Sequence, residues 1–159
     1  MKNTLNLHLI SALHILGEGE KSSNPGSKST PFAIGTDVAW IPEVAASIAR
    51  FGDAYLTRIY TAQELRTCRD VYGRPQAARL AARFAAKEAV IKVLSPSPNE
   101  AIPLRTVEVV TGPKGEPTVR LSGAAQDLAE KQGIHHIALS LSHDQDYAAA
   151  VAAARPGVQ

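Results

Sequence analysis

The stretch RLAARFAAKEAVIKVL, Arg79 to Leu94, constrains the fold of this chain more than any other. It holds no Gly or Pro and is rich in Ala and Leu, which predicts a continuous helix. At 100° per residue, Leu80, Phe84, Ile91 and Leu94 make one apolar stripe. Ala78, Ala82, Ala85, Ala89 and Val93 make a second face opposite. A helix apolar on two faces is packed on both sides, so the domain must be built around it. Yet the same helix carries Arg79, Arg83, Lys87, Glu88 and Lys92 in the seams between those faces.

These charges admit two readings. Arg79, Arg83 and Lys87 form an i, i+4, i+8 row along one seam, which suits either a solvated edge whose long stems cover apolar neighbours or a rail for phosphates. Glu88 and Lys92 lie one turn apart along the other seam, in the Glu-first order of an intrahelical ion pair stabilising by about 0.2–0.5 kcal/mol. Alternatively Glu88 is a metal ligand at the rim of the core, and then a second carboxylate is required. Asp37 qualifies, because in IGTDVAW it interrupts a strand-like apolar run, where desolvating an unpaired carboxylate is costly. A turn-capping role at the strand end would also explain it. Two carboxylates from separate elements, completed by water and diphosphate oxygens, are what magnesium prefers. His143 in SLSHD, at a strand end, is a third candidate beside its ordinary role as a surface residue.

The rest of the chain supplies a frame for that helix. FAIGTDVAWI, from Phe32, reads as a strand that bends at its end. Pro42 opens a helix through PEVAASIARFG that Gly52 stops, and Thr61 with Glu64 has capping-box spacing for a short helix in TAQELRTCRD. The proline pair of SPSP ends the long helix. RTVEVVTG and EPTVRLSG then alternate around GPKGE as a hairpin, AAQDLAEKQG is a short helix closed by Gly133, and HHIALSLSH and YAAAVAAA look like a final strand pair, the Ala-rich end being equally compatible with helix. This order predicts an α+β domain with a small, mostly antiparallel sheet. It spans residues 32–155, after an N-terminal extension and flexible linker over residues 1–31, where GEGEKSSNPGSKSTP shows no hydrophobic period.

Composition narrows the partners. The 159 residues are 45% hydrophobic, enough for one modest core, and the net charge of +2 is too small for a general nucleic-acid binder. The charge is unevenly placed: from Pro42 to Lys92 nine Lys or Arg face five Asp or Glu, so an acidic or phosphorylated partner is drawn to that half. LNLHLISALHIL is too short and too interrupted by His8 and His14 for a signal peptide, and no stretch is long enough to span a bilayer. A single cysteine, Cys68, fits a reducing cytoplasm.

Taken in order, GTDV, RFGDAYLTRIYTAQEL, ARFAAKEAVIK, GEP and SLSHD resemble the holo-acyl-carrier-protein synthases, a family of 4′-phosphopantetheinyl transferases. The resemblance runs from Phe32 to Ala154. It implies the 4′-phosphopantetheinyl transferase fold around a long central helix, and transfer of phosphopantetheine from coenzyme A to a serine of apo acyl carrier protein. By the same resemblance Asp37 and Glu88 would hold Mg2+, or Mn2+, and Lys92 would lie close to the reacting phosphates. Arg83, Lys87 and His143 would hold coenzyme A, and Arg50 and Arg58 would meet the carrier protein. Ala54 departs from the pattern where many relatives place a basic residue, which implies a different carrier-protein affinity or choice. A single module of this family implies a homotrimer with sites at the subunit interfaces, with the Ala-rich helix face and YAAAVAAA compatible with packing there or with an ordinary core. A non-catalytic carrier-protein or coenzyme A binding module of the same fold, and a magnesium-dependent phosphoryl hydrolase, are the alternatives.

Overall fold

The computed structural model describes residues 32–157, and the expectation of an extension over residues 1–31 lies outside them. Strand β1 (Ala33–Trp40) runs directly into helix α1 (Ile41–Phe51), which has Pro in its first turn and Glu43 beside the positive end of its dipole. Gly52 ends α1 at φ 54°, a region that costs glycine little. Helix α2 (Asp53–Ile59) follows at once and buries Leu56 and Ile59. Its seven residues are too few for a period to show in the sequence. Helix α3 (Ala62–Thr67) starts on the expected capping box: Thr61 Oγ1 accepts from the Glu64 backbone N–H, and the Glu64 carboxylate accepts from that of Thr61.

The long helix α4 covers Ala77–Leu94 and stops at Ser95, which is left-handed at φ 42° just before Pro96. A single 3-10 turn (Leu104–Thr106) leads into the hairpin of β2 (Val107–Thr111) and β3 (Pro117–Leu121). Helix α5 (Gly123–Lys131) precedes β4 (Ile137–Asp144) and β5 (Tyr147–Ala154). The Ala-rich end is therefore a strand. Its alternation buries Ala148, Ala150, Ala152 and Ala154 and leaves Tyr147 and Val151 exposed, a period of two that a helix could not satisfy.

The architecture is α+β with antiparallel pairing throughout, but the expected single sheet is two. One has three strands in the order β1-β5-β4, and the other is the β2-β3 hairpin. Helix α4 packs on the inner face of β1 and β5. Alanine on both surfaces lets the two backbones approach, and the helix's Ala81, Ala82, Ala85, Ala86 and Ala89 are all buried within this one chain. The second face of the helix is thus core, as one of the two readings held. Beyond its first turn, burial extends right round α4 except on one strip. Phe84, Glu88, Ile91 and Lys92 are only partly covered, at i, i+4, i+7 and i+8. Phe84 and Ile91, expected in a core stripe, belong to this open strip. No helix among the described residues is long and apolar enough to cross a membrane.

Candidate active site

The open strip of α4 faces the inner side of β1, and that meeting builds the site. Asp37 lies on β1 with its side chain toward the helix, in register with Ala150 of β5. The Lys92 ammonium donates to Asp37 Oδ1 at 3.0 Å and to the Thr36 carbonyl at 2.7 Å. Lys92 therefore pairs across to the strand and not along the helix with Glu88, which settles one reading of the sequence. Each member of the Asp37–Lys92 pair retains 16% of its side-chain surface, open enough to be reached and closed enough for charge to matter.

Glu88 sits beside this pair. Burial pushes its carboxyl above the ordinary 4.5, the neighbouring Asp37 charge pushes it further, and Lys92 partly opposes both. Asp37 is likewise raised from 3.8 by burial, with the Lys92 bond pulling the other way. Two half-buried carboxylates that repel one another are a site short of positive charge. No group of three or more His, Cys, Asp or Glu side chains among the described residues could hold a metal, so a cation here would take two protein carboxylates and complete its shell from substrate and water.

Gly35 explains how strand and helix come so close. A Cβ at this position would stand 2.0 Å from the Ala89 carbonyl oxygen and 3.0 Å from Lys92 Cβ. The Gly of GTDV is therefore a packing requirement two residues before Asp37 on the same face. Nothing local to GTDV reveals this requirement, because the partner is 54 positions away.

The other basic residues divide. Arg83 is 9% exposed, its Nε has no acceptor, and its Nη groups reach Thr67 Oγ1, Thr111 Oγ1 and the Arg79 carbonyl only at 3.4–3.5 Å. A buried guanidinium without a carboxylate partner among the described residues is suited to an incoming anion. Lys87, expected beside Arg83 on a phosphate rail, lies instead inside the core of this chain. Its side chain is fully buried and bonds Glu64 at 2.8 Å, the Leu104 carbonyl at 3.1 Å and the Val107 carbonyl. Its three donors meet three protein acceptors. Arg79 is exposed and reaches only the Thr67 carbonyl, at 3.4 Å.

His143 is not brought to Asp37 and Glu88 within one chain. It lies exposed on β4, in register with Ala148, with β5 between it and β1. Arg50 and Arg58 are exposed in the last turns of α1 and α2, where cations suit the helix dipole, and Arg50 also stacks on Phe51 at 4.9 Å.

Residues 33–152 match the family model described as the 4′-phosphopantetheinyl transferase superfamily. The chain belongs to the 4′-phosphopantetheinyl transferase superfamily. Among its relatives, the holo-[acyl-carrier-protein] synthase of Dehalococcoides mccartyi strain CBDB1 is 45% identical over 121 residues, 76% of this chain and 96% of the relative. That of Koribacter versatilis is 40% identical over 73% of this chain and 91% of its own. Among solved transferases, the ACPS–CoA complex of Chronobacterium ammoniagenes superimposes with a TM-score of 0.69 at 31% identity, covering 80% of this chain and 99% of that one. The Neisseria meningitidis holo-[acyl-carrier-protein] synthase gives 0.68 at 30%, covering 77% and 97%.

Proposed function

We propose that this chain is a holo-[acyl-carrier-protein] synthase, transferring the 4′-phosphopantetheine group of coenzyme A to a serine hydroxyl of apo acyl carrier protein and releasing adenosine 3′,5′-bisphosphate. The observation that carries this reading is the convergence of Asp37, Glu88 and Lys92 at the open strip of a helix that is buried elsewhere beyond its first turn, in a chain of this superfamily. The domain that carries the activity is residues 32–155.

Asp37 and Glu88 fit a divalent cation, Mg2+ or Mn2+, because their mutual repulsion and partial burial leave negative charge that a cation relieves. Bound there with a diphosphate, the ion would supply charge neutralisation to the phosphate oxygens. Lys92 fixes the Asp37 carboxylate through one N–H and the Thr36 carbonyl through another, and its third donor can reach a phosphate oxygen. Arg83 receives another phosphate of coenzyme A, replacing its long contacts with charge-assisted bonds. Arg50 and Arg58 offer exposed cations to an acidic carrier surface.

Self-association into a homotrimer accounts for the outer face of the three-stranded sheet. Ile34, Val38, Trp40, Tyr147 and Val151 alternate along β1 and β5 and are about half exposed, which is an apolar patch on a chain of modest core. Interfacial sites would let His143 of one copy act beside Asp37 and Glu88 of another. A cytoplasmic location is compatible with the buried, unpaired Cys68.

The test is incubation with coenzyme A, magnesium and a panel of apo acyl carrier proteins, read by mass spectrometry. A gain of one phosphopantetheine on the carrier is expected, and no gain with any carrier would overturn the assignment. Light scattering tests the trimer, and a chain lacking residues 1–31 should retain the transfer.

A further inference from the structure

The Lys87–Glu64 pair lies outside the open strip but next to Glu88, and both side chains are fully buried. Both Glu64 carboxylate oxygens are bonded. One carboxylate oxygen accepts from Lys87 and the Thr61 backbone N–H, the other from the Val109 N–H at 2.9 Å. Lys87 thereby ties α4 to α3, to the 3-10 turn and to β2 through directional bonds, while its ammonium stands 6.0 Å from the Tyr60 ring. A buried ion pair adds little stability over apolar side chains of similar volume, and what it can supply is a unique geometry.

On a helix, residues 87 and 89 project about 100° to either side of Glu88. The first is held by Glu64. At the second, the Ala89 carbonyl is pressed against Gly35 of β1. The helix is therefore gripped on both flanks of Glu88, once by charge and once by backbone contact. We propose that Lys87 is a positioning residue: with Glu64 it sets the roll of α4 that aims the Glu88 carboxylate at Asp37, and it does not contact coenzyme A. This rests on the transferase reading only in naming the ligand, a divalent cation held by Asp37 and Glu88.

The experiment compares the full-length parent chain with Glu64→Gln and Lys87→Met, measuring Mn2+ affinity from the electron paramagnetic resonance of the free ion and coenzyme A affinity by calorimetry in EDTA. Glu64→Gln removes the pairing charge but keeps the shape. It should weaken Mn2+ about tenfold, the size of effect seen when the support of a metal ligand is lost, with coenzyme A affinity unchanged. Lys87→Met should do the same. Should Lys87→Met fail to fold, Glu64→Gln decides alone. Wild-type Mn2+ affinity in folded Glu64→Gln overturns the proposal, as does loss of coenzyme A binding in EDTA by folded Lys87→Met. A parent chain that binds Mn2+ but modifies no apo carrier would refute the transferase reading without touching this one.

Discussion

Gly35→Ala should separate the two halves of the site. The added methyl would lie 2.0 Å from the Ala89 carbonyl oxygen and 3.0 Å from both the Ala89 carbonyl carbon and Lys92 Cβ. The nearest of these atoms is helix backbone, hydrogen-bonded within α4, so it cannot swing aside as a side-chain tip would. Strand and helix must part by about 1 Å before the contact becomes tolerable. Overpacking of this kind costs about 1–3 kcal/mol, which for a domain of this size lowers Tm by roughly 3–12 °C. The larger effect is on function. Asp37 rides on the strand and Glu88 on the helix, and a misplacement of about 1 Å can cost 100-fold in rate. Thermal unfolding by circular dichroism and carrier modification by mass spectrometry measure the two effects separately. A Gly35→Ala protein with parental Tm and parental transfer would refute the close-approach argument.

Other outcomes follow from single features. Glu88→Gln should abolish transfer yet stabilise the metal-free protein. The folded chain holds the Glu88 proton more tightly than the unfolded chain, whose value is 4.5, so that contribution is present below 4.5 and is lost as pH rises through the higher folded value. In EDTA the variant should therefore melt above the parent near neutral pH and lose that advantage near pH 4, and equal melting across the series would refute it. Thr61→Ala removes both the capping bond and a 2.6 Å bond to Glu108, and should cost about 1–2 kcal/mol in urea unfolding, with an unchanged midpoint counting against the role of the cap. Cys68 is 1% exposed and burial raises its thiol pKa, so iodoacetamide should label it only after unfolding; rapid labelling of the native chain would contradict its burial.

Much of this was legible in the residues. The capping box at Thr61, the hairpin around GPKGE, the end of α4 before Pro96 and the Gly133 stop are local signals, set by backbone chemistry within a few positions. Helix α2 escaped because seven residues following a glycine carry too little period. The split into two sheets also escaped, because strand order depends on which edges meet in space. Asp37, Glu88 and Lys92 stand out in the sequence and lie together in the structure, but the partner of Lys92 is not visible in the sequence. Its bond to Asp37 spans 55 positions.

The order of residues along the chain is enough to bury a long helix on more than one side and to set its charges at fixed angles to one another, because helical spacing sets those angles. The roll of that helix in its socket is a property of the completed fold. Lys87 and Lys92 are both lysines of one helix, yet the first is enclosed by Glu64 and two carbonyls and the second opens toward Asp37 at the site. Spacing gives the relative directions of side chains but no absolute one. That direction is supplied by contacts from Glu64 and Gly35, distant along the chain, which close on the helix only when the fold is complete.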